Sequence, residues 1–204
     1  TNGDGYADVA VGAGTILAAG LGSAYVFHGS SGGIANTNDF SAQSILTGTL
    51  ATGSFGRTVA LGDIDGDGYQ DLAVGATTAN GSNGYGYVFY SAGSGGITSV
   101  NDIAATTIIA GTLSGKLGSS VAIGDINTDG YADLLIGAFN ANGNMGVAYI
   151  FQSPSGTITS ANDSTATSVI SGTIGSGLLG NSCLISDLNG DGYQDAIISA
   201  HGVS

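Results

Sequence analysis

In the stretch GDIDGDGYQD, residues 62–71, four carboxylates fall within nine positions: Asp63, Asp65, Asp67 and Asp71, separated mainly by glycine. Anions this close repel unless a cation sits among them. Numbered from Asp63, oxygen donors stand at positions 1, 3, 5 and 9, and Gly68 at position 6 allows a tight turn. Tyr69 at position 7 contributes a backbone carbonyl. This is the donor pattern of a Ca²⁺ loop, because calcium takes roughly six to eight oxygens in irregular geometry. The short arm of Asp keeps those oxygens close to the backbone. An apolar residue at position 2, Ile64 here and Ile126 or Leu188 in the later copies, is expected to point away from the ion and anchor the loop in a core.

The loop recurs. GDINTDGYAD (124–133) offers Asp125, Asn127, Asp129, Tyr131 and Asp133; SDLNGDGYQD (186–195) offers Asp187, Asn189, Asp191, Tyr193 and Asp195. A headless copy, NGDGYAD (2–8), keeps Asn2, Asp4, Tyr6 and Asp8. Asn at position 3 retains an oxygen and drops one charge. Each tyrosine ring is expected to pack over its own loop. Twelve of the fifteen acidic residues lie in these loops, and three Ca²⁺ would take the formal charge from −13 to −7. A glycine–aspartate turn without metal would not need three full copies in register. The position-12 Glu of an EF-hand is missing, since Val74, Ile136 and Ile198 stand there, and dockerin-type loops fail at the same place. Magnesium, which prefers few protein ligands and retained waters, fits less well.

The elements that carry the loops share their period. Tyr25, Tyr87 and Tyr149, in AYVFHG, GYVFYS and AYIFQS, are 62 residues apart, and Asp39, Asp102 and Asp163 each follow an Asn. The chain is therefore a tandem array of ~62-residue units, about three and a quarter in all. The boundaries are expected at 1–54 (partial), 55–116, 117–178 and 179–204 (partial). Within a unit, RTVALGDI, DLAVGA, YGYVFY and ATTIIAGT are short segments rich in Val, Ile and Tyr, bounded by glycine turns, which is how strands read. No 3.6-residue periodicity persists long enough for a helix. Each unit is then a four-stranded antiparallel sheet, and repetition of such sheets predicts an all-β fold of β-propeller blades. A β-solenoid would use coils of roughly 20–30 residues instead.

Composition narrows the function. All fifteen acids are Asp, and Arg57 and Lys116 are the only Lys or Arg residues, which argues against nucleic acid and against anionic membranes. No apolar run nears the ~18 residues of a membrane span, so no membrane insertion is expected. One cysteine excludes an intramolecular disulfide. Catalytic candidates are thin. His28 ends a strand at a variable position, His201 lies near the chain end, and Cys183 fills the slot of Val59 and Val121 as a small core residue. The serines have no His or Asp at a suggestive spacing. Asp39, Asp102 and Asp163 read as turn-stabilising side chains. The chain is not expected to be an enzyme.

The run FGRTVALGDIDGDGYQDLAVGA (55–76) resembles an FG-GAP repeat of the integrin α-chain β-propeller. Phe55-Gly56 matches the opening pair and Gly75-Ala76 the closing one. Leu117-Gly118 with Gly137-Ala138, and Leu179-Gly180 with Ser199-Ala200, follow in the later units, while Gly12-Ala13 end the first. The family's closing proline is absent, and Phe is kept once in three. The resemblance implies a seven-bladed ring, braced by calcium loops on the hairpin joining each blade's first two strands, with partners on the opposite face. Three and a quarter units close no ring, so a longer chain, or less readily other chains, is expected to supply the remaining blades.

Three functions follow as expectations. The first is a calcium-stabilised module for adhesion or protein recognition, extracellular or at the cell surface, where calcium is abundant enough to fill weak loops. The second is a lectin-like propeller holding a glycan, for which Tyr85, Tyr90 and Phe139 are the non-repeating aromatics. The third is a non-catalytic accessory domain of an extracellular hydrolase.

Overall fold

The computed structural model describes residues 1–15, 20–35 and 38–202. The short β-branched segments form the strands the sequence predicts. The first sheet holds β1 (Val9–Ala13), β2 (Ser23–Phe27) and β3 (Ser44–Thr47), in that order and antiparallel. The second runs β4 (Phe55–Gly62), β5 (Asp71–Ala76), β6 (Tyr85–Phe89) and β7 (Thr107–Ala110). The third holds β8 (Ser120–Gly124), β9 (Asp133–Ala138), β10 (Val147–Phe151) and, after the two-residue β11 (Ala161–Asn162), β12 (Ser168–Ser171). The fourth pairs β13 (Cys183–Ser186) with β14 (Asp195–Ile198). These antiparallel sheets are β-propeller blades. The helical pieces among the described residues are short 3₁₀ segments and two single turns, α1 (Ala79–Ser82) and α2 (Ala141–Asn144), each broken by a left-handed Asn-Gly pair.

The core lies between sheets as well as within them. Leu46 of the first sheet packs with Phe55, Val74 and Phe89 of the second, and Val88 and Ile109 of the second pack with Leu117 and Ile136 of the third. A four-stranded sheet buries its two faces only by stacking on neighbours, so consecutive units hold one another in place.

Phe55-Gly56 and its counterparts act at those seams. Phe55, Leu117 and Leu179 each form a parallel bridge to a glycine of the preceding unit, Gly22, Gly84 and Gly146. Those glycines have φ of 76°, 84° and 84°, and a Cβ there would strike the bridging residue's carbonyl. Any side chain would push the sheets apart, which fixes glycine. At the opening position burial is what counts: Phe55 and Leu117 are both buried, so Leu can replace Phe.

The recurrent Asn-Asp pair corrects a sequence expectation. Asn162 Oδ1 accepts from Ser164 N (3.0 Å) and so stabilises the turn. Asp163 reaches across the seam instead, accepting from Thr112 N (3.0 Å) and Thr112 Oγ1 (2.6 Å) of the preceding unit. β11 adds to the edge of β7 in parallel, which delivers Asp163 there.

Candidate metal centre

The 62–71 hairpin leaves β4 at Gly62 and enters β5 at Asp71. Its backbone amides turn inward onto its carboxylates. Asp63 Oδ1 accepts from Gly66 N (2.8 Å) and Asp67 N (3.1 Å), and Asp63 Oδ2 from Gly68 N (2.9 Å). Asp65 Oδ1 accepts from Asp67 N (3.2 Å), and Asp67 Oδ1 from Tyr69 N (2.8 Å). Asp71 is fully buried and closes the loop: Oδ2 accepts from Ile64 N and Oδ1 from Ser91 N, both at 2.8 Å. Ile64 is fully buried, as an anchor should be, but Leu188, its counterpart in the 187–195 loop, is 64% exposed, because the two-stranded last sheet offers it no core.

One oxygen each from Asp63, Asp65 and Asp71 lie within 4.8 Å of one another. At an effective dielectric near 20, unit charges that close repel by about 3 kcal/mol per pair. Burial pushes the Asp71 carboxyl up to about 6, and the charges of Asp65 and Asp63 add to the rise against the two amides that lower it. Burial also raises Asp65, with Asp67 and Asp63 contributing. A site that disfavours its own ionised form is one that a divalent cation would relieve. The donors are all carboxylate oxygens, the set suited to a hard cation such as Ca²⁺ rather than to zinc or copper.

The other loops share the scaffold but not the cluster. In 125–133, Asp125 accepts from Asp129 N (3.2 Å) and Gly130 N (2.9 Å), Asp129 from Tyr131 N (3.0 Å), and Asp133 from Ile126 N (3.3 Å) and Ser153 N (3.0 Å). Burial raises Asp133, with Asp129 and Asp125 adding. Asn127 accepts from Asp129 N through Oδ1 (3.0 Å) and donates to Asp129 Oδ2 through Nδ2 (3.0 Å). In 187–195, Asp187 accepts from Gly190 N (2.7 Å) and Gly192 N (2.9 Å), Asn189 from Asp191 N (2.8 Å), Asp191 from Tyr193 N (2.9 Å), and Asp195 from Leu188 N (3.0 Å). In the headless loop, Asn2 accepts from Asp4 N (3.3 Å) and Asp4 from Tyr6 N (2.9 Å), a bond that lowers the Asp4 pKa. Asp8 Oδ2 lies 4.0 Å from the Thr1 ammonium. Among the described residues, three carboxylates converge only in the 63–71 loop.

Two features escaped the sequence reading. The position-9 carboxylates are held by amides at the end of each unit's third strand, Gly29, Ser91 and Ser153, the first through Asp8 Oδ1 (2.8 Å). Those residues recur every 62 positions, so the signal was present. Of the tyrosines, expected to cover their own loops, Tyr69 and Tyr131 pack on the preceding one. A Cβ at Gly3 would strike the Tyr69 ring, and one at Gly66 would come within 3.1 Å of Tyr131. Tyr6 and Tyr193 are 49% and 58% exposed.

The three aromatics considered for a glycan are engaged elsewhere. Tyr85 packs 5.7 Å from Tyr87, Tyr90 Oη accepts from Ile158 N (3.1 Å), and Phe139 lies under Lys116. No helix of the described residues is long and apolar enough to cross a membrane.

Comparison with known proteins gives a consistent result. The FG-GAP repeat profile matches residues 55–89 and 117–151. Integrin alpha-3 of Cricetulus griseus is 34% identical over 142 residues, covering 67% of this chain and 12% of that protein. Integrin alpha-5 of Xenopus laevis is 31% identical over 181 residues, 83% of this chain and 17% of its own. The phosphatidylinositol-glycan-specific phospholipase D of Rattus norvegicus is 32% identical over 145 residues, 66% and 17%. The chain thus spans between 12% and 17% of the length of these relatives.

Proposed function

From the premise that this chain carries tandem FG-GAP repeats, as integrin alpha chains do, we propose that it is a calcium-binding segment of a β-propeller, used for adhesion or protein recognition outside the cell or at its surface. The observation that carries this is the convergence of Asp63, Asp65 and Asp71 within 4.8 Å inside a loop repeated at a fixed step. The chain's units are 1–54, 55–116, 117–178 and 179–204, and the remaining blades of a seven-bladed ring come from a longer chain or other chains.

Calcium, when bound, supplies the positive charge that the loop carboxylates lack. Asp63, Asp65, Asp67 and Asp71 hold it in the first complete loop, with the Tyr69 carbonyl. Asp125, Asn127, Asp129, Asp133 and the Tyr131 carbonyl serve the second, and Asp187, Asn189, Asp191, Asp195 and the Tyr193 carbonyl the third. Asn2, Asp4, Asp8 and the Tyr6 carbonyl are the counterparts in the headless loop. The protein's own contribution is orientation: inward amides fix the carboxylates before any ion arrives, which lowers the ordering cost of binding. Calcium titration by calorimetry tests this reading, with three sites expected and a failure to bind calcium overturning it.

A second reading has one specific support. The similarity to a phospholipase D chain fits a non-catalytic accessory propeller of an extracellular hydrolase, with the chemistry elsewhere in a longer chain. The chain itself is proposed to be no enzyme, and hydrolysis of a phosphodiester by the isolated 204 residues would overturn that.

A further inference from the structure

Most of the carboxylates of this molecule gather at one end. The hairpins β4–β5, β8–β9 and β13–β14 carry acidic loops, and the β2–β3, β6–β7 and β10–β12 connections carry Asp39, Asp102 and Asp163. Strands alternate direction, so these segments emerge at one end of the sheets, together with the headless loop that precedes β1. The twelve loop carboxylates stand there, whereas Asp102 and Asp163 are buried and Asp163 is carried along β7 by β11 to Thr112, past that strand's far end. The two cations stand at the other end: Arg57 at the start of β4 and Lys116 just before β8.

Arg57 and Lys116 line the same cleft, about 690 Å³, between the segment leading into β4, the β5–β6 connection and the segments that flank β8–β9. Its volume suits a small ligand group. No Asp lines it. Among the described residues the one ion pair is Thr1 with Asp8, so neither cation is neutralised by the chain. In a molecule with fifteen carboxylates and two cations, leaving both cations unpaired in one cleft gives that cleft a sign opposite to the rest of the surface.

The backbone brings both residues to the cleft. Arg57 lies where the β4–β5 register shifts between Phe55 and Thr58, a bulge that re-aims the side chain out of the ladder. Lys116 has φ of 57° and lays its ammonium 5.3 Å from the Phe139 ring centroid. That contact holds the ammonium over an aromatic face that itself lines the cleft. The equivalent residues of the neighbouring units, Ser54 and Leu178, occupy the same left-handed slot without charge. A crevice at the last seam, lined by Met145, Ile174 and Leu179, is small and largely apolar. The cationic cleft is therefore a property of one seam and not of the repeat.

We propose that this cleft binds a carboxylate side chain of a protein partner, clasped between the Arg57 guanidinium and the Lys116 ammonium. The acidic end repels the same ligand, so the charge distribution also sets the orientation in which the partner approaches. The proposal rests on the recognition-module reading and adds the partner's chemistry to it.

The test uses the whole chain in saturating calcium, with the blocked peptide acetyl-Gly-Asp-Asp-Gly-amide as probe and its Asn counterpart as control, followed by calorimetry or NMR titration. The Asp peptide should bind at least about tenfold more tightly than the Asn peptide, as expected for charge-assisted contacts. Arg57→Gln and Lys116→Met should each weaken it by about fivefold to tenfold. Rising salt should weaken it further. Equal binding of the two peptides, or indifference to both substitutions, overturns the proposal. So does tighter binding of a sulfated heparin disaccharide, which would assign the cleft to glycans. A calcium-dependent melting temperature that persists while the peptide fails sinks the cleft alone, whereas loss of the calcium response sinks the module reading.

Discussion

The loops 63–71 and 125–133 are built on the same hydrogen-bonded frame, yet they meet the charge problem differently. In the first, three carboxylates converge and burial drives Asp71 up to about 6. In the second, Asn127 stands in for the third carboxylate and satisfies Asp129 through its own amide nitrogen. The first loop gathers like charges that a divalent cation would relieve; the second carries one charge fewer and hydrogen-bonds another carboxylate with the amide that replaces it. A frame repeated in sequence therefore need not give sites of equal affinity. Charge count and self-satisfaction tune each loop, and the 63–71 loop should be the tighter one.

The largest effect expected is that of removing metal altogether. At free calcium a hundred times the dissociation constant, one site stabilises the folded state by about 2.7 kcal/mol. For a chain of this size that raises Tm by roughly 5–10 °C, and more when several loops fill. Thermal unfolding with calcium and with EDTA measures it, and coincident curves would remove the basis for comparing the loops at all.

Next in size is a reciprocal exchange at position 3. Asp65→Asn should lower the affinity of its loop on the order of tenfold, and Asn127→Asp should raise that of the other by a similar factor. Together the exchanges should narrow or invert the difference seen in a calcium titration. If the ranking ignores both, charge at position 3 is not what separates the loops.

These features were legible to different degrees. Strand positions and the frame of each loop followed from apolar alternation and from Asp and Gly at fixed offsets, because both are local properties of the chain. Turn chemistry was legible as well, down to Ile64 as the buried anchor. Contacts made across seams were not. Asp163 read as a turn residue because its neighbour Asn162 occupies the same turn, and only the parallel addition of β11 to β7 shows the side chain reaching Thr112. The ring of Tyr131 covers Gly66 of the preceding unit for the same reason. A single unit's sequence specifies its own hydrogen bonds, but which unit's surface it faces depends on the stacking of whole sheets. The cleft that joins Arg57 to Lys116 has that origin too.

A smaller effect tests the seam beside the second loop. Position 4 is Gly3, Gly66 and Gly190 in three loops, with φ of 68°, 73° and 77°, but Thr128 in the fourth, at 59°. A β-branched residue in the left-handed region is costly, and the position that Tyr193 would cover by the rule of Tyr69 and Tyr131 is thereby filled. Thr128→Gly should relieve the backbone at some entropic cost, for a net gain of about 0.5–1 kcal/mol. Tm should rise by roughly 1–4 °C, and Tyr193 should become slower to nitrate as its ring settles. An unchanged or lower Tm would mean that the neighbouring sheet, and not Thr128, sets the exposure of that ring.

The smallest effect concerns the strand that leads into the third complete loop. Cys183 occupies on β13 the place of Val59 on β4 and Val121 on β8, packs against the apolar cluster around Ile185, and accepts from Ser120 Oγ at 3.0 Å. Burial pushes its thiol up, against the lowering effect of that hydroxyl. The neutral thiol is the form this site favours, and the thiolate is the form that alkylates. Iodoacetamide at pH 8 should therefore modify folded protein slowly and denatured protein quickly, with the folded rate rising only at pH values above those of an ordinary thiol. Cys183→Val, nearly isosteric and matching the other two units, should change stability by less than about 1.5 kcal/mol. Calcium affinity should stay as it was in every loop, because the site lies behind the strand and not in the hairpin. Rapid alkylation of the calcium-loaded protein would instead show that β13 opens readily, and that the loop it leads into differs from the 63–71 loop in mobility as well as in charge.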